Sequence, residues 1–264
     1  MLQTETSGAL PLFQLDLSAD VGEGIVGSGR SADSELLSLV SSASVACGGH
    51  AGDEDSMRRA TGLALRLGVT VGAHPGYLDR ERFGRRELDL PSDTVAAQVA
   101  DQIHALIRCA AAEGARVRYV KPHGALYNRA AREPDLAAAI AAAVRSVDPS
   151  LALLGLAGSA LVTAARDAGL RGVAEAFLDR GYAAGGALVP RSQPGALVDD
   201  AGAVARRAVG LARDHEVEAV DGSRLQVAAE SCCVHGDSPR APELLRAARA
   251  ALEDAGVTIA PFVV

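Results

Sequence analysis

The chain has 264 residues, 48% of them hydrophobic and only 3% aromatic, with 26 basic against 33 acidic side chains and a formal net charge of −7. That length fits one large α/β barrel or two small domains with a sizeable core, and the interspersed charges form no basic stripe, which argues against nucleic acid as a partner. The longest nearly apolar run, 151–165, holds two glycines and a serine and falls short of the roughly 20 residues that a membrane span needs.

Short apolar or β-branched runs predict strands at 13–17, 43–47, 69–73, 117–121, 151–156, 172–176 and 225–234. Helical patterns lie between them. Asp53 is placed to cap a helix over 54–67 that Gly68 closes, and Ser92 or Asp93 opens a long run over 94–113 closed by Gly114. Pro134 sits in the first turn of a helix ending near Ser146, and further helices are expected at 158–167, 199–214 and 241–255. Strands alternating with helices predict a parallel sheet covered by helices, and seven such units without a composition break favour a single (β/α) barrel over two domains. Residues 1–11 show no basic or apolar leader pattern, so no signal peptide is expected. Cys47, Cys109, Cys232 and Cys233 form no CxxC pair and are expected as reduced thiols of a soluble, cytoplasmic protein.

The unusual residues follow the strands. In order they are Asp16-Leu-Ser-Ala-Asp20-Val-Gly-Glu23-Gly24, Ala46-Cys-Gly-Gly-His50-Ala-Gly-Asp53, Gly72-Ala-His74-Pro-Gly-Tyr77 with Phe83-Gly-Arg85-Arg86, Lys121-Pro-His123-Gly-Ala-Leu-Tyr127-Asn128, Glu175-Ala-Phe-Leu-Asp179-Arg180, and Val234-His235-Gly-Asp237. In a parallel barrel all strands end on one face, so these segments converge there. A ring of His, Asp, Glu, Lys and Arg is what proton transfer and anion positioning require. Lys121 is the only lysine in the chain, every other strong cation being arginine, which points to a task for a compact ammonium rather than a planar guanidinium. His104 and His215 lie in helical surroundings and are expected to be packing or surface residues. Asp53 reads equally as a helix cap and as a ligand contact.

Gly22-Glu-Gly24-Ile-Val-Gly27 matches GxGxxG after a strand, but the tip of the next strand carries Cys47-Gly-Gly-His50 where a dinucleotide site needs an acid. A P-loop string is absent from the sequence, as are CxxC pairs and HExxH.

Taken together, the segments DLSADVGEG, ACGGHAGD, GAHPGY, FGRR, VKPHGALYN, DRGY, LVPRSQPGA and CVHGD resemble, in order and approximate spacing, the LamB/YcsF family, which includes the A subunit of prokaryotic 5-oxoprolinase. The likeness spans Asp16 to about Ala241. This chain has Ser18 and Ser44 where the family carries Asn, and Gly185-Gly186 where Asp-Gly is frequent. The resemblance implies a seven-stranded barrel of the glycoside hydrolase/deacetylase type. It also implies cleavage of 5-oxo-L-proline to L-glutamate coupled to ATP hydrolysis, in a complex with B and C subunits. In related barrels a strand-one Asp and later histidines hold a divalent metal; by position these are Asp20, His50 and His123.

The expected catalytic set is Asp20, His50, His74, Lys121 and His123. The expected binding set is Glu23, Asp53, Arg86, Tyr127, Glu175, Arg180, Arg191, His235 and Asp237. In this scheme Lys121 with Arg86 and Arg191 neutralises phosphate charge, and Asp20 with His74 or His123 activates water. His235-Asp237 is expected as a second such pair or as a substrate clamp. A stand-alone metal-dependent deacetylase or amidohydrolase and a non-catalytic substrate-binding subunit stand as the alternatives.

Overall fold

The computed structural model describes residues 13–24 and 29–263, the side chains of 29–32 excepted. The N-terminal stretch 1–11 and the Ile25–Gly27 part of the GxGxxG string therefore lie outside the described residues.

Strands β1 (Gln14–Val21), β2 (Ser42–Ala46), β3 (Thr70–His74), β4 (Val117–Val120), β5 (Ala152–Leu156) and β6 (Arg171–Phe177) pair in parallel, each with its successor. Two short strands, β7 (Glu216–Glu218) and β8 (Arg224–Gln226), form an antiparallel hairpin of their own. The next strand, β9 (Ser231–Val234), pairs in parallel with both β6 and β1 and closes a seven-stranded barrel. A final piece, β10 (Thr258–Ile259), adds beside the start of β1. Helices α1 (Gly29–Leu37), α2 (Glu54–Leu67), α3 (Ser92–Ala112), α4 (Gly124–Arg132), α5 (Pro134–Val147), α6 (Ala160–Asp167), α7 (Ala201–Arg213) and α8 (Ala241–Asp254) follow in chain order. The barrel strands are buried almost throughout, because one face of each looks inward and the other lies under helices.

Local chemistry accounts for the helix bounds. Asp53 caps α2 by accepting from Ser56 N at 2.8 Å, Ser56 returns the bond to Asp53 N, and Gly68 closes the helix at φ 71°. Glu133 is extended because Pro134 follows it, and this breaks α4 from α5. The expected strand at 225–234 divides in two. The Asp221 side chain accepts from Ser223 N and Oγ, and Gly222 takes φ 83°; this turn folds Arg224–Gln226 back onto Glu216–Glu218 and leaves only Ser231–Val234 in the barrel.

Alternation along each strand sorts side chains into barrel layers. Tyr119, Ala152, Leu154 and Val173 pack with Phe262 in a small apolar cluster. Ser44 Oγ lies 3.2 Å from Tyr119 OH. Asp16, buried, accepts from Ser41 and Ser42 at 2.7 Å and from Ser231 at 2.6 Å, and Ser18 Oγ lies 3.3 Å from Ser231 Oγ. Two positions later on the same faces come Asp20, Lys121, Glu175 and Cys233, and beyond them His123, Phe177 and His235. Ser18 and Ser44 thus belong to a hydroxyl layer inside the barrel and are not among the residues lining the cavity above it.

Burial pushes the Asp16 carboxyl up from 3.8 to about 6 despite its three hydroxyl donors. With its folded pKa raised, Asp16 stabilises the fold below pH about 4 and loses that contribution as pH rises through about 6; the ionised form costs on the order of 3 kcal/mol. Asp16→Asn cannot ionise, so its melting temperature relative to wild type should rise between about pH 4 and pH 6 and level off above that. A pH-independent difference between the two proteins would refute this assignment.

Candidate active site

A cavity of about 920 Å³ opens at the carboxyl ends of the barrel strands, lined among others by Asp20, His74, Lys121, His123, Phe177, Arg191 and His235. Its chemistry divides into three groups.

At the floor, the Lys121 ammonium meets three buried neighbours. Nζ lies 3.0 Å from Asp20 Oδ1, 2.9 Å from Glu175 Oε1 and 3.1 Å from Cys233 Sγ, over the Phe177 ring. The Tyr127 hydroxyl donates to the other Glu175 oxygen at 2.8 Å. Burial alone would lower the Lys121 pKa, but Asp20, Cys233 and Glu175 together raise it well above the ordinary value. Burial likewise works against an ionised Asp20, yet His74 and Lys121 hold its carboxyl well below the usual range. Lys121 is thus the buried counter-ion of Asp20 and lies against Glu175, whose own carboxyl burial pushes upward.

Beside the floor stand three histidines. His74 Nδ1 lies 2.7 Å from the Lys121 carbonyl and His123 Nε2 lies 3.0 Å from the Phe83 carbonyl. A carbonyl only accepts, so both of these outer nitrogens carry hydrogen. The inner nitrogens, His74 Nε2 and His123 Nδ1, face each other at 3.0 Å. Burial, together with the neighbouring His50 and His74, pushes the His123 pKa well down, which leaves its inner nitrogen a lone pair. His50 stacks on His123 with ring centroids 3.5 Å apart and planes 5° from parallel, and burial lowers its own pKa to about 2. Its Nε2 lies 3.1 Å from Glu23 Oε1, which is 3.7 Å from His123 Nδ1, while His50 Nδ1 has no hydrogen-bond partner among the described residues. Burial and the charges of Asp20 and Asp237 raise the Glu23 carboxyl well above its ordinary range. Gly84 lets this cluster close: at φ 60° it lies where a Cβ would come within 2.7 Å of His50 Cβ.

The third group is a pair that spacing did not predict. His235 Nδ1 lies 3.0 Å from both oxygens of Asp179, whose Oδ2 also accepts from the His235 backbone N–H at 3.0 Å. With Nδ1 committed, Nε2 is the nitrogen left for the cavity, and the ring is fixed by stacking on Phe177 at 4.9 Å. His235 is thus partnered by Asp179 rather than Asp237. Asp237 instead pairs with Arg85 and lies 3.8 Å from Arg191, so two guanidiniums share one carboxylate at the mouth.

Other expected residues fall in varied places. His50, Glu23, Asp53 and Asp237 line a separate outer cavity of about 520 Å³, on the far side of the histidine stack. Asp53 is exposed there and serves as the α2 cap. Arg86 is exposed and lines neither cavity, whereas its neighbour Arg85 lines both. Arg180 is buried and donates to the carbonyls of Ala196 and Val189 at 3.0 and 2.7 Å, bracing the loop that carries Gly185, Gly186 and Arg191 over the cavity. Asp179 is not among the residues expected from sequence, although it opens the DRGY segment; the signal was an acid two residues past an inward-facing strand end. The four cysteines are buried and free, and no described helix is long and apolar enough to cross a membrane.

The LamB/YcsF family model matches residues 15–264. The A subunit of a 5-oxoprolinase from Streptomyces coelicolor is 54% identical over 248 residues, covering 94% of this chain and 99% of that protein. The crystal structure of a lactam utilization protein from Thermus thermophilus has a TM-score of 0.87 at 47% identity, covering 94% of this chain and 100% of that one.

Proposed function

The chain belongs to the LamB/YcsF family, and from that premise we infer that it provides the ring-opening site of an ATP-dependent 5-oxoprolinase, working with B and C subunits to convert 5-oxo-L-proline to L-glutamate. The observation that carries this reading is the Asp179–His235 pair, which turns an oriented imidazole toward the same cavity whose mouth holds two arginines against one carboxylate.

The lactam is an unactivated amide, so its carbonyl carbon must be made electrophilic before water adds. Phosphorylation of the lactam carbonyl oxygen by ATP does this, with ADP leaving. Water oxygen then bonds to the ring carbon, the C–N bond breaks and the nitrogen leaves as an amine, giving a γ-acyl phosphate. A second water releases inorganic phosphate and leaves glutamate. His235 Nε2 takes the proton of the first water and returns it to the departing nitrogen, while Asp179 fixes the ring in the tautomer that permits this. Arg191 and Arg85 carry one positive charge in excess of Asp237 and bind the substrate carboxylate. The Asp20–Lys121 ion pair at the floor, with Glu175 beside it, orients the polar groups above it.

The test is reconstitution. Purified chain combined with the B and C subunits should release ADP and glutamate in a 5-oxoproline-dependent manner, and omission of any component should abolish the reaction. Turnover by B and C alone, or ring opening by this chain without ATP, would refute the reading. Arg191→Ala should raise KM for 5-oxoproline by roughly 10- to 100-fold with a smaller change in kcat, as expected for loss of a charge-assisted hydrogen bond.

A further inference from the structure

We propose that Glu23, His74 and His123 form a binding site for one divalent transition-metal ion, with His50 as its wall rather than a ligand. The inner nitrogens of His74 and His123 stand 3.0 Å apart, and each outer nitrogen is tied to a backbone carbonyl. That is the arrangement by which proteins aim histidine lone pairs at a metal, the outer hydrogen bond fixing tautomer and ring orientation. A carboxylate oxygen, Glu23 Oε1, lies 3.7 Å from the inner nitrogen of His123, and one donor atom from each of Glu23, His50, His74 and His123 lies within 4.8 Å of every other. All four residues are buried. A cation between them takes lone pairs from both imidazoles and from the carboxylate together.

The donor set differs from the Asp20, His50 and His123 set that strand position implied. An imidazole ligates in its own ring plane, and the planes of His50 and His123 are parallel and stacked. With the stacked rings 3.5 Å apart, no single ion lies near both ring planes, so the two residues do not share one. His50 instead places Nε2 on the Glu23 carboxylate, the contact by which an outer residue orients a ligating oxygen. Asp20 is held by Lys121 and stands 3.5 Å behind His74 Nε2 as a charged neighbour. Two imidazoles and one carboxylate suit Zn²⁺, Mn²⁺, Fe²⁺ or Co²⁺ rather than Ca²⁺. When bound, such an ion polarises a carbonyl oxygen; that role in ring opening rests on the function proposed above, whereas the site itself does not.

The experiment is titration of tag-free, chelator-treated chain with Co²⁺ and then Zn²⁺, read by ligand-field absorption and calorimetry without partner subunits or ATP. Wild type should bind one ion per chain. His74→Gln and Glu23→Gln should weaken binding at least about 100-fold and His50→Gln by about 10- to 100-fold, while Asp179→Asn should bind as wild type does. Circular dichroism and melting curves identify any variant that fails to fold, and Glu23→Asp, which keeps the carboxylate, should retain more affinity than Glu23→Gln. Absence of Co²⁺ and Zn²⁺ binding by wild type, or undiminished binding by folded His74→Gln, overturns the site. Metal binding without 5-oxoproline turnover would leave the site standing and overturn the proposed function alone.

Discussion

Replacing Lys121 with methionine should lower the melting temperature by about 10 °C. The cation neutralises Asp20 and Glu175, both buried, and removing one partner of a buried ionic cluster costs about 3–5 kcal/mol because the remaining charge is left unpaired. In a chain of this size each kcal/mol moves the melting temperature by roughly 2–4 °C. The cost comes from stranded carboxylates rather than from lost packing, since methionine is apolar and of similar length. Adding Glu175→Gln to Lys121→Met should therefore recover part of the loss, although Gln keeps the Tyr127 contact only through its carbonyl. Thermal unfolding of the single and double variants decides the matter: a single variant that melts with wild type, or a double variant worse than the sum of its parts, contradicts this account. Lys121→Arg is not a conservative control, because a planar guanidinium has to fit among Asp20, Glu175, Cys233 and Phe177 where a compact ammonium sits.

The second large effect concerns turnover. Asp179→Asn should lower kcat of the reconstituted complex on the order of 100- to 10,000-fold, the range associated with losing an oriented acid–base group. Both carboxylate oxygens stand 3.0 Å from His235 Nδ1. An amide in that place offers His235 a donor as well as an acceptor, which releases the ring to the tautomer with hydrogen on Nε2. The base is then blocked while the cavity and its arginines remain. KM should change little, which separates this variant from Arg191→Ala. His235→Gln should fall in the same kcat range, and the double variant should be no worse than either single one, because the two residues act as a unit. Additive losses would assign them separate roles.

Much of this protein can be read along the chain. The alternation of strands and helices, the Asp53 cap, the Gly68 stop and the proline at the start of α5 are local decisions, made by hydrogen-bonding side chains and by φ preference within a few residues. The barrel follows from repeated β-then-α units, and its geometry alone sends Asp20, His74, Lys121 and His123 to one mouth. Spacing could not tell which neighbour each of these groups meets. Lys121 looked like a free cation because sequence shows one lysine but not the two carboxylates, from strands β1 and β6, that lie within 3.0 Å of it. His235 lies two residues from Asp237 but 56 from Asp179, and the closed β6–β9 pairing brings only the distant acid to its Nδ1. Arg85 and Arg86 are adjacent in the chain, and the direction of one loop puts the first at the cavity and the second outside both cavities. The sequence by itself determined the residue types and the end of the barrel at which they gather, because those depend on short-range propensity and strand direction. Tertiary structure decided charge state, tautomer and partner, because these depend on contacts between strands that are far apart in the chain.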